Sequence, residues 1–377
     1  MKLARRIFAL HSWLGLIAGL FILVFFLTGS IIVFREELNL WEHPHLLRVA
    51  PKAQRLPYQT IYERVSIQVA DTYLYSFRRL PKTPGETIEM RIYEPSTGRY
   101  GLLYVNPYNG EVLGKTFDSL YDILLTIHYE FYLGKFGEFL AAIFALALLG
   151  SVITGLYVYR KSLLKVLLFQ FNGKWTNWRT ISSNLHRIMG VWGLLFNLIL
   201  ALSGFWMMKY ALEVRTHFSS KPTVEETQAP PVVRVNLDKL VQQTLTLFGG
   251  RVNNVSFPRQ EDAPVRIYAT SPGQNWLYGE YSSYAEFDQQ TGAVKTVFRE
   301  RDLSNLERFE YTLYTLHFGQ YGGLPIKILY AFMSLSGAVL TVTGFLLWYR
   351  RKKFRKQTTL IRTSDKDRLR PSYSLKH

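Results

Sequence analysis

The sequence predicts an α-helical membrane protein: four transmembrane helices in two parallel repeats, with two small α+β domains on the outer side. Three observations predict it. Four apolar runs have membrane-spanning length, basic residues crowd the short segments that would share one side, and one half of the chain maps onto the other.

Hydrophobic residues make up 48% of the 377 positions, yet the chain also carries 45 Lys and Arg and 28 Asp and Glu. A mean hydropathy of +0.01 then requires apolar and charged residues to be segregated into blocks. Four apolar blocks stand out: Ile7–Phe34, Phe136–Tyr159, Met189–Met208 and Leu324–Tyr349. Each reaches the roughly 20 residues that cross a hydrocarbon core, and none has the polar stripe of a soluble surface helix. The first is read as an anchor rather than a cleaved leader. Its apolar stretch exceeds the roughly 7–15 residues of a signal peptide, and no A-x-A site precedes Arg35-Glu36-Glu37.

The net charge of +17 lies where topology needs it. Lys2, Arg5 and Arg6 precede the first run. Arg160, Lys161, Lys165, Lys174, Arg179 and Arg187 fill the link between the second and third, and Arg350, Arg351, Lys352, Lys353, Arg355 and Lys356 follow the fourth. With four spans these places share one side, which the positive-inside rule makes cytoplasmic. Charge so placed implies the lipid bilayer as partner and needs no nucleic acid. The chain has no cysteine, which excludes disulfides, thiolate metal sites, iron–sulfur clusters and Cys-attached haem.

The two long connections are then outside. In the first, Tyr58–Ala70 has helical spacing, and Thr87–Glu94, Arg99–Val105 and Glu111–Lys115 read as strands. In the second, Asn236–Leu247 reads as the helix and Val265–Thr270, Trp276–Phe287 and Ala293–Phe298 as strands. The chain divides into a first transmembrane helix (1–35), an outer domain (36–118), and an interfacial segment with the second helix (119–161). A cytoplasmic link (162–185), the third helix (186–210), a second outer domain (211–303), an interfacial segment with the fourth helix (304–351) and a cytoplasmic tail (352–377) complete it.

His11-Ser-Trp-Leu-Gly15 matches His186-Arg-Ile-Met-Gly190 at an offset of 175, and Leu27-Thr-Gly29 matches Leu202-Ser-Gly204 at the same offset. Gly155 maps to Gly344 at an offset of 189, which carries His128 onto His317. Each half has an even number of spans, so the repeats run parallel about an axis along the membrane normal. That axis preserves depth, setting His11 level with His186 near the cytoplasmic face and His128 level with His317 near the outer face. Two imidazoles at one depth are the axial donors that six-coordinate haem iron requires. Gly15, Ala18 and Gly19 beside His11, with Gly190 and Gly193 beside His186, leave room for a flat ring. Eighteen residues make five helical turns, so Gly29 and Gly204 are expected on the same face. There is a plainer reading: histidines at membrane boundaries are ordinary, and small residues in membrane helices also serve close packing. His43, His45, His217 and His377 have no repeated partner and are not expected as ligands, although His43-Pro44-His45 has the spacing of a weak surface metal site.

These residues carry a resemblance. The His-x-x-x-Gly opening spans, the His segments ahead of Gly-Lys-Phe-Gly and Gly-Gly-Leu-Pro, and the Ile-Thr-Gly-Leu-Tyr-Val-Tyr-Arg-Lys exit resemble the PepSY-associated transmembrane family. Asn106-Pro-Tyr-Asn-Gly-Glu-Val-Leu-Gly114 is similar to that family's Asp-Pro-x-Thr-Gly-Glu-Val turn, and Asp288-Gln-Gln-Thr-Gly-Ala-Val294 to a second copy. Asn106, Asn109 and Gln289 depart from the pattern in turn-compatible ways. The resemblance covers about residues 3–354 and makes the two outer domains PepSY-like. Members include iron-regulated inner-membrane ferric siderophore reductases of the ferrioxamine type. The resemblance therefore implies b-type haem, two groups, with His11, His186, His128 and His317 as iron ligands, in a bacterial inner membrane with both termini cytoplasmic and both domains periplasmic.

The expectation is a haem-dependent oxidoreductase that passes electrons across the membrane to a periplasmic ferric siderophore or other Fe(III) chelate. No Gly-x-Gly-x-x-Gly follows a strand and the cytoplasmic link is short, so the electron donor is expected to be quinol or a cytoplasmic protein. Trp13, Trp192, Phe25, Phe26, Phe196 and Trp206 lie between the two histidine levels and are expected as packing rather than as a relay. Tyr73, Tyr75, Trp276 and Tyr278 are candidates to touch the chelate, although alternating strand aromatics more often build a core. Two rivals stay open: a membrane-anchored periplasmic binding or protease-modulating module without redox activity, and a transporter. The lack of proline inside the apolar runs counts against the latter.

Overall fold

The computed structural model describes residues 2–168, 170, 175–213 and 230–368. They form two compact units. One is helical (Met1–Ser30, His128–Leu212, Ile328–His377) and the other comprises Ile31–Ile127 and Glu213–Lys327.

In the helical unit three helices are long and apolar enough to cross a membrane: Gly134–Tyr159, Leu194–Leu212 and Gly323–Lys352. The first apolar run is different. It forms α1 (Lys2–Ile17) and α2 (Gly19–Ile32), which meet at Ala18 with a bend of 63° and together are long enough for one span. The single helix expected over Ile7–Phe34 is therefore broken, and nothing in the local sequence explains the break at Ala18. The phase argument that returned Gly29 to the face of His11 does not survive the bend. The third run also divides, at Gly193, between α9 (Trp178–Trp192) and α10 (Leu194–Met208). An added Cβ at Gly193 would lie 2.7 Å from the Met189 carbonyl and 2.9 Å from Asn197 Nδ2, so only glycine fits. Ala18 and Gly193 stand at the 175-residue offset of the two His-x-x-x-Gly segments. Breaks form here without proline, so the proline argument against a transporter lapses.

Helix α7 (Gly134–Tyr159) packs against α1 and α10. Ala18, Ile22, Phe26, Phe144 and Ala338 form the centre of this unit. The last helix, Gly323–Arg368, is held to α2 where Ser334 Oγ donates to the Phe26 carbonyl (2.8 Å). A Cβ at Gly337 would sit 2.4 Å from the Phe26 ring, so the close approach depends on glycine.

The other unit contains α3 (Arg35–Glu42), α4 (Pro44–Leu47), α5 (Tyr58–Gln68) and strands β1 (Tyr73–Arg79), β2 (Ile88–Glu94), β3 (Arg99–Val105) and β4 (Val112–Thr116). α6 (Leu120–Glu130) leads back to the helical unit. Further along the chain come α11 (Leu237–Phe248), β5 (Arg251–Ser256), β6 (Val265–Thr270), β7 (Tyr284–Phe287), β8 (Val294–Phe298) and α12 (Asn305–Phe318). All eight strands form one antiparallel sheet in the order β4-β3-β2-β1-β5-β6-β7-β8. The strands expected for two domains thus share a sheet, joined where Ser76 pairs with Ser256 and Phe77 with Val255. β1 and β5 are additions to the expected strands. The strand expected over Trp276–Phe287 is interrupted: Asn275 caps a 3₁₀ turn at Trp276–Tyr278, and Gly279, with φ of 70°, turns the chain out of extended conformation before β7.

One core runs through this unit, with Val65, Phe77, Met90, Leu103, Val255, Ile267 and Phe287 all buried. The N-terminus of α5, preceded by Pro57, has no side-chain cap of its own. Asp238 of α11 supplies one, accepting from the Tyr58 and Gln59 amides at 2.8 and 3.0 Å, while Gln59 Oε1 accepts from the Leu237 amide (3.1 Å). The two helices are stitched end to end by reciprocal bonds.

Phe77 contacts Tyr58 and Phe257 at the junction of the sheet. Phe77→Ala is expected to cost about 3–5 kcal/mol, read as lost hydrogen-exchange protection in both β1 and β5. Protection lost on β1 alone would show that the sheet is not one cooperative structure. The β7–β8 turn carries a pH dependence. Asp288 accepts from the Thr291 and Gln290 amides and pairs with Lys295, and these bonds, Thr291 first, hold its carboxyl well below the ordinary range. A depressed carboxylate stabilises the fold above its unfolded pKa and loses that contribution as pH falls below about 4. Exchange protection of the turn is expected to fall over that window and to become pH-independent in Asp288→Asn.

Candidate functional site

His11 lies on α1 and His186 on α9. Their ring centroids are 6.3 Å apart with planes at 75°. Each ring is held the same way. His11 Nδ1 lies 3.1 Å from the Ser151 carbonyl and 3.2 Å from Thr154 Oγ1, and His186 Nδ1 lies 3.0 Å from the Leu340 carbonyl and 3.1 Å from Thr343 Oγ1. Both partner pairs are related by the 189-residue offset.

This arrangement decides which nitrogen carries the proton. A carbonyl only accepts, so Nδ1 must be the N–H donor. The threonine hydroxyls agree, since each donates its own hydrogen to the carbonyl four residues back, Thr154 to Gly150 (2.6 Å) and Thr343 to Val339 (2.7 Å). The neutral imidazole then keeps its lone pair on Nε2, which bonds to none of the described residues. A ring N–H anchored on a carbonyl with the other nitrogen free is the usual posture of a metal-ligating histidine.

The next residue in each partner helix is glycine for a reason of space. A Cβ at Gly155 would be 3.2 Å from His11 Cε1, and one at Gly344 would be 3.2 Å from His186 Cε1. The two rings line a cavity of about 370 Å³ whose walls include Gly15, Gly19, Gly190 and Gly337. Arg187, Arg351 and Asn197 also line it. Asn197 is buried, and its Oδ1 has no partner among the described residues.

His128, on α6, repeats the pattern against α2. Its Nδ1 lies 2.8 Å from Thr28 Oγ1, which donates to the Val24 carbonyl (2.6 Å), and its Cε1 is 3.2 Å from where a Cβ on Gly29 would be. The space at Gly29, expected to face a groove, is filled by this ring. His317 lies on α12, in the other unit, with Phe318 beside it. His43 and His45 also sit 6.4 Å apart, but at a helix boundary and outside the cavity that His11 and His186 line. Separation is therefore not sufficient by itself; the Nδ1 anchors and the cavity set His11 and His186 apart. His217 and His377 lie outside the described residues. Trp13 and Trp192 are exposed, while Phe26 is core. Tyr75 is buried, Tyr73 half-buried and Trp276 exposed against Tyr321.

Sequence reasoning missed the Thr-Gly dipeptide as the holder of histidine. The signal was present: Thr28-Gly29, Thr154-Gly155 and Thr343-Gly344 serve three of the four repeated histidines, and Ser203-Gly204 is the repeat mate of Thr28-Gly29. Among the described residues no group of three or more His, Asp or Glu could hold a bare metal ion.

A family model described as the PepSY-associated TM region matches residues 8–351. No curated protein matches the chain.

Gly155→Ala and Gly344→Ala each place a methyl 3.2 Å from a histidine Cε1 and are expected to destabilise, because the ring must move away from the carbonyl that its Nδ1 meets. Gly15→Ala, with nothing within 4 Å of the added carbon, is expected to be neutral or slightly stabilising through helix propensity. Thermal unfolding in detergent separates them, and equal stability of all three would contradict the ring contacts.

Proposed function

The chain belongs to the PepSY-associated transmembrane family, and we propose that it is a haem-b electron conduit that crosses the bacterial inner membrane and reduces a periplasmic ferric siderophore or other Fe(III) chelate. The observation that carries this reading is the pair His11 and His186, each with Nδ1–H committed to a carbonyl and a Nε2 lone pair left over.

Three further features support haem as the group held. Two imidazoles that share one first-row metal at about 2 Å, each nitrogen about 1.1 Å from its ring centre, have centroids about 6 Å apart; these two are 6.3 Å apart. Two imidazoles alone leave a metal ion under-coordinated, and a macrocycle would supply the remaining donors. Gly15, Gly19, Gly190 and Gly337 are among the residues that line the cavity beside them, and Arg187 and Arg351 would hold the two carboxylates of a haem there. Bound haem supplies reversible one-electron chemistry at iron. The chain contributes the rest. Ser151, Thr154, Leu340 and Thr343 orient the ligand rings, Gly155 and Gly344 admit them, and the apolar helices exclude water.

His128 and His317 are proposed as the second pair. His128 has the same tautomer, set by Thr28, and the sequence repeat pairs it with His317. Both termini are then cytoplasmic, the outer unit is periplasmic, and the donor is quinol or a cytoplasmic protein. Release of iron follows from ligand preference, since Fe(II) binds hard oxygen donors more weakly than Fe(III).

Two observations favour other readings. The outer unit has its own continuous core, as an anchored binding or protease-modulating module would, and the 63° break in the first span is what a transporter of broken helices would use. A visible spectrum of detergent-purified protein before and after dithionite separates them. The conduit requires a reducible haem spectrum that falls by about half in His11→Ala or His186→Ala, with Gly15→Ala also losing haem although it folds. A colourless protein that stays apo when haem is supplied would falsify the conduit.

A further inference from the structure

The outer unit contains a cavity of about 540 Å³ between α3, β1 and β5 that none of the foregoing uses. Five cations line it, Arg35, Arg78, Arg79, Lys82 and Arg251, against three carboxylates, Glu36, Glu89 and Glu280. Every one of those carboxylates is already engaged. Glu89 meets Arg78 (3.1 Å) and Arg79 (3.6 Å), Glu36 meets Arg79 (3.3 Å), and Glu280 meets Lys82 (3.3 Å) and Arg251. Arg35 makes no ion pair with the described residues and rests over the Tyr121 ring at 5.0 Å. Burial, and then the charge of Arg35 beside it, hold Arg78 below the ordinary arginine value although Glu89 opposes them. The cavity is short of negative charge.

Two amide oxygens of residues that line it are also idle. Asn39 is 4% exposed and its Oδ1 has no partner among the described residues; neither has Asn253 Oδ1. The orientation of Asn253 is not arbitrary, because Nδ2 donates to the Glu280 carbonyl (2.8 Å) and to Thr270 Oγ1 (2.7 Å), which leaves the oxygen as the idle end. A simple anion offers only acceptors and would leave both amide oxygens unpaired.

We propose that this cavity binds a compact anion that carries carboxylates together with hydroxyl or N–H donors, the hydroxycarboxylate class. Arg35 and Arg78 meet its carboxylates, and Asn39 and Asn253 accept from its donors. That the occupant brings Fe(III) rests on the conduit reading. On that reading the substrate is an anionic carboxylate-type chelate, and a cationic trihydroxamate is disfavoured by the five cations.

Calorimetric titration of citrate into the full-length protein in detergent tests this, with a visible spectrum taken on the same sample. Citrate is expected to bind saturably, one per chain. Tricarballylate, which has the same three carboxylates but no hydroxyl, and sulfate, which has no donor, are each expected to bind about tenfold or more weakly, as expected when a site's buried polar groups go unpaired. Arg35→Gln breaks no ion pair and is expected to weaken citrate about tenfold or more; Asn253→Leu is expected to erase the preference for citrate over tricarballylate. No saturable heat, equal affinity for sulfate and citrate, or indifference to both variants would overturn the proposal. So would citrate binding that appears only after haem extraction, since the carboxylates would then belong to the prosthetic group. Protein that binds citrate but holds no haem keeps this site and removes the conduit; coloured protein that ignores citrate does the reverse.

Discussion

The helical unit is organised around one hydrogen bond made twice: an imidazole Nδ1–H donating to a main-chain carbonyl of a neighbouring helix, Ser151 for His11 and Leu340 for His186. An α-helix normally spends its carbonyls internally, so a second donor on one of them is a directional contact in an otherwise apolar environment. It fixes the ring's tautomer and its rotation together. The neighbouring threonine hydroxyl, tied to its own helix, can only accept, so both partners enforce the same protonation. The glycine one residue on lets the helices approach closely enough for the bond to form. Histidine, hydroxyl and glycine are one device, and removing any of them disables the other two.

The broken spans belong to the same economy. With α1 and α2 inclined by 63°, the segment bearing His11 takes a direction of its own. At Gly193 α9 gives way to α10, with main-chain bonds from Gly193 to the Met189 carbonyl (2.9 Å) and from Asn197 to the Gly193 carbonyl (2.8 Å) carried across the junction. α1 and α9 bring the two histidine rings to a centroid separation of 6.3 Å. Asn197 lies just past its break with an idle oxygen in the same cavity.

Much of this was legible before any coordinates. The histidine pairs stood out because the repeat preserved His-x-x-x-Gly, and Gly155 with Gly344 were visible as repeat mates. Their role was not, because a glycine that accommodates a ring from a helix some 140 residues away looks like any packing glycine. The breaks were hidden by the absence of proline. The span at Ala18 reads as uninterrupted apolar sequence, and propensity alone would continue the helix. β5, Arg251–Ser256, carries two asparagines and little β-propensity; it is a strand because β1 and β6 flank it. The outer cavity was illegible for the same reason: Arg35, Arg78 and Asn253 come from three distant segments that only the sheet assembles.

The pairing of β1 with β5 constrains how such a protein can be cut or duplicated. Severing the chain between its halves would strip a central strand of its neighbour and bare a hydrogen-bonding edge beside Phe77 or Val255, both fully buried now. Exposed central edges recruit other chains. An isolated half would therefore be driven to pair that strand antiparallel with its own copy, the self-complementary contact of a two-fold dimer. Fusion of two halves turns a concentration-dependent assembly into an intramolecular one, and from then on each half is free to diverge in its side chains while neither can be lost.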